Sequence, residues 1–287
     1  MFSFVIFEIK KLKNTQALTV SNIRQETLNS VVISFEIPSN LKSQYAFKAG
    51  QYLTLSSHIN GEKVKRSYSI CSSPESMSLQ VGVKAIENGV FSNYVNDALR
   101  EGDSIEVSVP EGRFVLNDNP VANYCAFVAG SGITPLMSIV SDVLSKNKSS
   151  VFIMGYGNKT KASTMFTSDI DKLKSLYPKR FYCYNIYSKE NNPEAAFGRI
   201  DSNFINYILK QHSDVIFEKV LLCGPEKMIE DSKETLEKAS FSKDKVLYEL
   251  FYSKPAVEDN EKGKGASAKI IYDEETLDLD VPEKMTI

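Results

Sequence analysis

The hydrophobic period of this 287-residue chain changes once, near residue 119, and that change restricts the possible folds more than any other feature. From about residue 17 to 116, apolar side chains recur at every second position. SVVISFEIP shows this through Ile33, Phe35 and Ile37, and SIEVSVP through Ile105, Val107 and Val109. Successive side chains of a strand face opposite ways, so such alternation makes sheet with one dry and one wet face. Asn60-Gly61, Gly102-Asp103 and Glu111-Gly112 supply turn chemistry between these runs, which makes an antiparallel barrel the economical arrangement. One short helix is expected near FSNYVNDALR. After Asn119 the apolar runs become continuous and alternate with amphipathic helices; YCAFVA, VFIMGYG, FYCYNIY and KVLLCG read as strands. Strands of that kind are covered on both faces, as in a doubly wound α/β parallel sheet. The expected organisation is a two-domain α+β chain with a barrel over 1–118 and an α/β domain over 119–253.

Composition removes several classes of function. With 34 basic against 36 acidic side chains, the chain has no electrostatic footprint for nucleic acid and no polybasic membrane patch. Cys71, Cys125, Cys183 and Cys223 are scattered singly, so no metal-ligand spacing and no disulfide framework is expected. The opening MFSFVIFEIKKLK lacks the pattern of a secretory leader, and no apolar run is long enough to span a bilayer. A cytoplasmic protein is expected. His58 and His212 have no serine or metal-ligand constellation around them; hydrolytic chemistry is poorly supported, and both read as ordinary surface residues.

Two strand-to-helix turns carry the first chemical signal. In AGSGITPLMSIVSDVL, Gly130 and Gly132 let backbone approach a ligand, Thr134 reads as the N-cap and Pro135 as the first helical residue. Leu136, Val140 and Val143 form one buried face. The free N–H groups at such a helix start suit a pyrophosphate. Pro135 stands where the usual G-x-G-x-x-G has its third glycine, so a plain strand-to-helix turn explains the glycines equally well. LLCGPEKM repeats the design with Cys223, Gly224 and Pro225, and together the turns line one crevice at the sheet's carboxyl edge.

RSYSICSSP, GVFSNYV, GSGITPLMS, YGNKT, CGPEKM and YELF occur in the order found in the ferredoxin-NADP reductase superfamily, and the chain resembles its oxygenase-reductase branch over about residues 16 to 253. The resemblance implies an FAD-binding barrel joined to an NAD(P)-binding α/β domain. By the same resemblance, Arg66 pairs with flavin phosphate, Ser67 neighbours it, Tyr68 lies along the isoalloxazine and Ser69 reaches flavin N5. Gln51 and Tyr52 flank the ring system, and Val83 and Lys84 run along the cofactor. Gly89, Val90, Phe91 and Ser92 open a helix whose N-terminus faces the second anionic group. Phe251 covers the ring until nicotinamide displaces it. Ser69, Thr134, Cys223 and Glu249 flank the reacting atoms. Gly130, Gly132, Thr134, Cys223, Gly224, Pro225 and Met228 hold the nicotinamide nucleotide. Lys159, Ser188 and Lys189 are placed for a 2′-phosphate, which favours NADPH, with NADH the alternative. Lysine, however, makes a looser phosphate contact than arginine.

The segment 254–267 has linker composition, low in apolar residues and rich in charge and glycine. Residues 268–287 return to period two and resemble the first hairpin of a plant-type ferredoxin domain. Cysteines for a [2Fe-2S] centre, in C-x4-C-x2-C spacing, are expected beyond Ile287. The resulting expectation is a flavin-dependent oxidoreductase that takes hydride from NAD(P)H and passes single electrons to an iron-sulfur or oxygenase protein acceptor. A free-standing flavin or ferric reductase and a non-catalytic nucleotide-binding regulatory protein are the alternatives.

Overall fold

The computed structural model describes residues 15–76, 78–117 and 122–251, with the backbone of 266–272 and 275–281. The opening apolar run, the expected boundary at 118–119 and most of the expected linker lie outside the described residues.

The first sheet is built from β1 (Thr15–Thr27), β2 (Ser30–Glu36), β3 (Tyr52–Ile59), β4 (Glu62–Ser69) and β5 (Leu79–Lys84), followed by helix α1 (Val90–Asp97) and β6 (Ser104–Ser108). Its order is β4-β3-β6-β1-β2-β5, with every pairing antiparallel. A bridge between Ile70 and Val81, with Cys71 N–H donating to the Gln80 carbonyl at 2.9 Å, joins the first strand in that order to the last and closes the wall. Asn60 and Gly61 both have positive φ (53° and 84°), which is the backbone a two-residue hairpin between twisted strands requires. Alternation fills the interior with Val31, Ile33, Leu53, Leu55, Val81 and Val83, and α1 plugs it with Phe91 and Val95. Val32 faces the other way, and its side chain belongs to a different core.

The second sheet comprises β7 (Asn123–Ala129), α2 (Ile133–Lys146), β8 (Phe152–Asn158), α3 (Thr167–Leu176), β9 (Phe181–Tyr187), β10 (Ala196–Phe197), α4 (Ser202–Gln211), β11 (Phe217–Gly224), α5 (Glu226–Lys238) and β12 (Val246–Leu250). The order is β10-β9-β8-β7-β11-β12 and all pairings are parallel. The chain therefore winds outward from β7 through β8, then returns to its other side at β11, which leaves a topological switch point between β7 and β11. Residues of α4 and α5 cover one face, with Ile205, Ile208, Ile229 and Leu236 buried there. Residues of α2 and α3 cover the other, and there the core continues into the barrel through Val32, Cys71 and Phe114. The Ser138 hydroxyl on α2 donates to the Ser72 carbonyl at 2.6 Å across this seam.

One expected detail is corrected. Thr134 is not the N-cap of α2: Gly132 is, after a tight 3-10 turn over Gly130–Gly132, and Pro135 is the third helical residue. The tight turn brings the helix start forward. The Thr134 hydroxyl then donates back to the Ser131 carbonyl at 3.0 Å, and proline is tolerated because the first-turn N–H groups lack intrahelical partners anyway.

Residues from Tyr252 onward form a separate unit. Its described part is an antiparallel hairpin of β13 (Ala266–Tyr272) and β14 (Glu275–Val281), in register from Ala266↔Val281 to Tyr272↔Glu275. Ala266 and Ser267, the end of the expected linker, are the first residues of β13.

Candidate active site

Both glycine turns meet at the switch point. Gly130 has φ 56°, and a Cβ built on it would have no atom within 4 Å, so this turn is open on one side. Gly132 is the opposite case. A Cβ there would stand 2.6 Å from the carbonyl carbon of Cys223 and 3.0 Å from the Gly224 nitrogen, so only glycine lets the two turns nest. Gly224 is confined less tightly, with Met228 Cε at 3.0 Å and Ala129 N at 3.2 Å from its own Cβ position. Pro225 caps α5 from outside, one position before its first residue. Neither α2 nor α5 receives a side-chain N-cap bond; the Ile133 N–H that opens α2 donates to the Gly130 and Ser131 carbonyls of the tight turn, whereas α5 follows Pro225 with no such turn before it.

Beside this nest, strand pairing brings the acid and the thiol together. Cys223 on β11 is opposite Glu249 on β12, and Cys223 is fully buried. Burial pushes the Glu249 carboxyl up to about 7, opposed by the adjacent Ser69 hydroxyl, while its Oε2 is buried without a hydrogen-bond partner among the described residues. Burial, together with the Glu249 charge, raises the Cys223 thiol, which is therefore neutral rather than a thiolate nucleophile. Ser69 is the last residue of β4 and only 4% exposed. A barrel hydroxyl, a sheet carboxyl and a sheet thiol thus share one spot. Thr134, the fourth residue expected there, is buried, with its methyl side against Gly82 of β5.

The remaining expected residues divide by exposure. Arg66 and Ser67 are exposed on β4; the Arg66 guanidinium donates to the Lys65 carbonyl at 2.6 Å, and Ser67 Oγ is 3.1 Å from Thr54 Oγ1. Tyr68 is half-buried with its ring centroid 5.9 Å from that of Phe91, and burial raises its hydroxyl. Gln51 is tied to the Lys48 N–H at 2.8 Å, and Tyr52 makes a backbone bridge with Glu111. The side chains of Val83 and Phe91 are barrel core, so only their backbone is free to meet a ligand. Ser92 accepts from Ile86 N–H at 3.2 Å and donates to the Gly89 carbonyl at 3.3 Å, which fixes the loop ahead of α1. Gly89 is the N-cap there without a side-chain bond, and Val90 is exposed. Phe251 is 37% exposed.

Lys84, expected to run along the flavin, reaches the seam. Its amino group donates to the Ser163 carbonyl at 3.3 Å, on the nucleotide side of the seam, and burial together with Lys159 lowers its pKa. Lys159 and Lys189 are both exposed and adjacent, because Lys189 N–H donates to the Lys159 carbonyl at 2.9 Å and Ser188 N–H to the Asn158 carbonyl at 3.0 Å. Tyr156, not singled out from sequence, supports the open turn from below by donating to the Gly130 carbonyl at 3.2 Å. Within VFIMGYG it looks like any buried strand residue. His58 is exposed, whereas His212 is not an ordinary surface residue: just past the end of α4, its Nε2 lies 2.8 Å from the Tyr184 hydroxyl and its ring packs on Tyr182.

Residues 17–116 match the oxidoreductase FAD-binding domain family and residues 127–234 the oxidoreductase NAD-binding domain family. The chain belongs to the FAD- and NAD-binding oxidoreductases. A 1,2-phenylacetyl-CoA epoxidase component from Escherichia coli (strain K12) is 37% identical to this family member over 243 residues, covering 81% of this chain and 66% of that protein. The chain thus spans about two thirds of that relative's length. The ferredoxin reductase component of 3-ketosteroid-9-alpha-monooxygenase from Rhodococcus rhodochrous is 28% identical over 286 residues, covering 94% of this chain and 77% of that one. Among solved structures, a ferredoxin NADP+ reductase from Neisseria gonorrhoeae with bound FAD and NADP superposes with TM-score 0.70 at 19% identity, covering 83% of this chain and 98% of that chain. The two-domain ferredoxin-NADP reductase fold is the one observed here. Among the described residues, no helix is long and apolar enough to cross a membrane.

Proposed function

We propose that this chain binds FAD on the barrel, takes hydride from NADPH at the seam, and passes single electrons to a [2Fe-2S] centre or ferredoxin-type acceptor of an oxygenase system. The observation that carries the reading is the meeting of barrel Ser69 with Cys223 and Glu249 of the parallel sheet beside the two nested glycine turns. FAD, when bound, supplies the conversion of a two-electron hydride into single electrons; the protein supplies orientation and electrostatics.

The residues present fit such a group. Arg66 offers an exposed guanidinium bonded only to a neighbouring carbonyl, suited to a phosphate, and the uncapped start of α1 offers backbone donors to a second anionic group. Tyr68 and Phe251 present aromatic surface at the ends of β4 and β12. The buried Oε2 of Glu249 lacks a partner, as expected of a site completed by a ligand. With its carboxyl poised near neutrality, Glu249 holds a proton that the Ser69 hydroxyl can carry toward the reacting ring. Lys159 and Lys189 together meet a 2′-phosphate, which selects NADPH.

The acceptor assignment is supported by the relatives, which include a component of an epoxidase and the ferredoxin reductase component of a monooxygenase. Steady-state assay of the purified chain with a plant-type ferredoxin tests it. NADPH-dependent ferredoxin reduction faster than with NADH is expected. Reduction of free flavin alone, with ferredoxin untouched, would contradict it.

A further inference from the structure

We propose that Glu26, paired with Arg24 and bonded to the Phe166 N–H, is a positioning residue that fixes the seam between the barrel and the nucleotide-binding sheet at the spacing hydride transfer requires. This rests on the function proposed above.

A row of three residues crosses the outside of the barrel. Arg24 on β1 pairs with Val32 on β2, and Val32 pairs with Gly82 on β5, so the three lie side by side across the wall. Val32 is 1% exposed within the core of α2 and α3. Gly82 makes the tightest approach: a Cβ there would stand 2.7 Å from Thr134 Cγ2 and 3.1 Å from Phe166 Cζ. The barrel wall therefore rests directly on the second residue of α2, just past the glycine turn that faces the crevice.

Beyond Arg24 the row is fastened by charge. Glu26 has a side chain only 6% exposed, and its Oε2 accepts from the Phe166 N–H at 2.7 Å. Its Oε1 accepts from Arg24 Nη2 at 2.9 Å, and the same nitrogen reaches Asp169 Oδ2 in the first turn of α3 at 2.7 Å. Phe166 has φ 59°, a left-handed conformation that a bulky aromatic residue rarely adopts, and it stands ahead of α3 with no side-chain cap. Such backbone persists only where its surroundings over-determine it. Here those surroundings include, besides the core of its own half, two groups from the barrel: the Glu26 carboxylate and the bare backbone of Gly82.

Across the seam, Ser69 belongs to the barrel, whereas Thr134 on α2 and Cys223 and Glu249 on the parallel sheet belong to the other half. Their relative placement depends on the seam, and a misplacement of about 1 Å can cost about 100-fold in rate. The seam is pinned at the Ser138–Ser72 and Lys84–Ser163 hydrogen bonds, at the Arg24–Asp169 ion pair and at Glu26, whose side chain is the most buried charged group among them. A carboxylate accepting from both a backbone N–H and a guanidinium is the stronger kind of fastening.

The test compares E26A, E26Q and D169N with the parent chain by two readouts. The first is hydrogen exchange of the Phe166 amide in flavin-free protein. The second is the stopped-flow rate of flavin reduction per bound FAD at saturating NADPH. E26A should speed amide exchange and slow reduction by roughly tenfold with FAD content unchanged. E26Q, which keeps an acceptor for Phe166 N–H, should fall between E26A and D169N. Phe166 exchange equal to the parent's in E26A, or reduction per bound FAD unchanged in both Glu26 variants while only the melting temperature falls, would overturn the inference. If E26A does not fold, E26Q decides by the same criteria. A parent chain that holds no flavin would defeat the functional reading instead, and the exchange measurement would still decide whether Glu26 fastens the seam.

Discussion

Gly132 lies against the peptide of Cys223 so closely that a single added carbon would come 2.6 Å from the Cys223 carbonyl carbon. This contact joins the turn after β7 to the turn after β11 and sets the width of the crevice between them. Alanine at Gly132 must push the turns apart, at a cost of roughly 1–3 kcal/mol typical of overpacking. Alanine at Gly130 meets no atom within 4 Å and suffers only the left-handed backbone, worth roughly 1–2 kcal/mol. G132A is expected to weaken nicotinamide-nucleotide binding at least tenfold by calorimetry, about 1.4 kcal/mol, and G130A distinctly less. Equal losses would show that nesting of the turns does not shape the site.

Glu249 gives the site a pH signature. Its carboxyl is raised by burial from 4.5 to about 7, so the native state binds more protons than the unfolded chain between those values. Stability contributed by the neutral acid is fully present below about pH 4.5 and is lost as pH rises through about 7, an effect on the order of 3 kcal/mol. Denaturant titrations of E249Q should show a flatter pH dependence over that window. Flavin reduction should decline as pH rises through about 7 in the parent and lose that limb in E249Q. A parent profile flat across the window would remove the proton-holding role.

Arg66 is exposed and, among the described residues, its side chain bonds only to the adjacent Lys65 carbonyl, so the fold owes that side chain little. R66A should leave stability within about 0.5 kcal/mol. Loss of a charge-assisted bond to phosphate, about 1.5–3 kcal/mol, should weaken FAD binding by roughly 10- to 100-fold, read by flavin fluorescence on dilution. Unaltered retention would move the phosphate site elsewhere.

Lys159 and Lys189 lie together at the carboxyl ends of β8 and β9. Replacing both with alanine should lower kcat/KM for NADPH by about tenfold while leaving that for NADH within about twofold. A parallel fall for both nucleotides would mean that the lysines serve the pyrophosphate rather than a 2′-phosphate.

Much of this architecture is written in local patterns. The period-two runs give the barrel strands, and Asn60-Gly61 gives a hairpin with both residues at positive φ. The continuous runs give the parallel sheet, because burial on both faces leaves no reason to alternate. What the patterns do not carry is the seam. Val32, Gly82 and Glu26 sit on a face of the barrel that alternation marks only as the other side, and nothing in strand periodicity says that a second sheet covers it. Lys84 shows the same limit, since its place in β5 is legible but its reach to Ser163 depends on which loop lies opposite. The start of α2 departs from its sequence signal for a local reason: a 3-10 turn runs straight into the α-helix, and Thr-Pro is the stronger but later mark.

The most direct test is anaerobic titration of the purified chain with NADPH, following the visible absorbance of bound flavin. Hydride transfer at the seam predicts yellow protein with one FAD per chain, bleached in proportion to added NADPH and less readily by NADH. Colourless protein, or bound flavin that neither nucleotide bleaches, would contradict it.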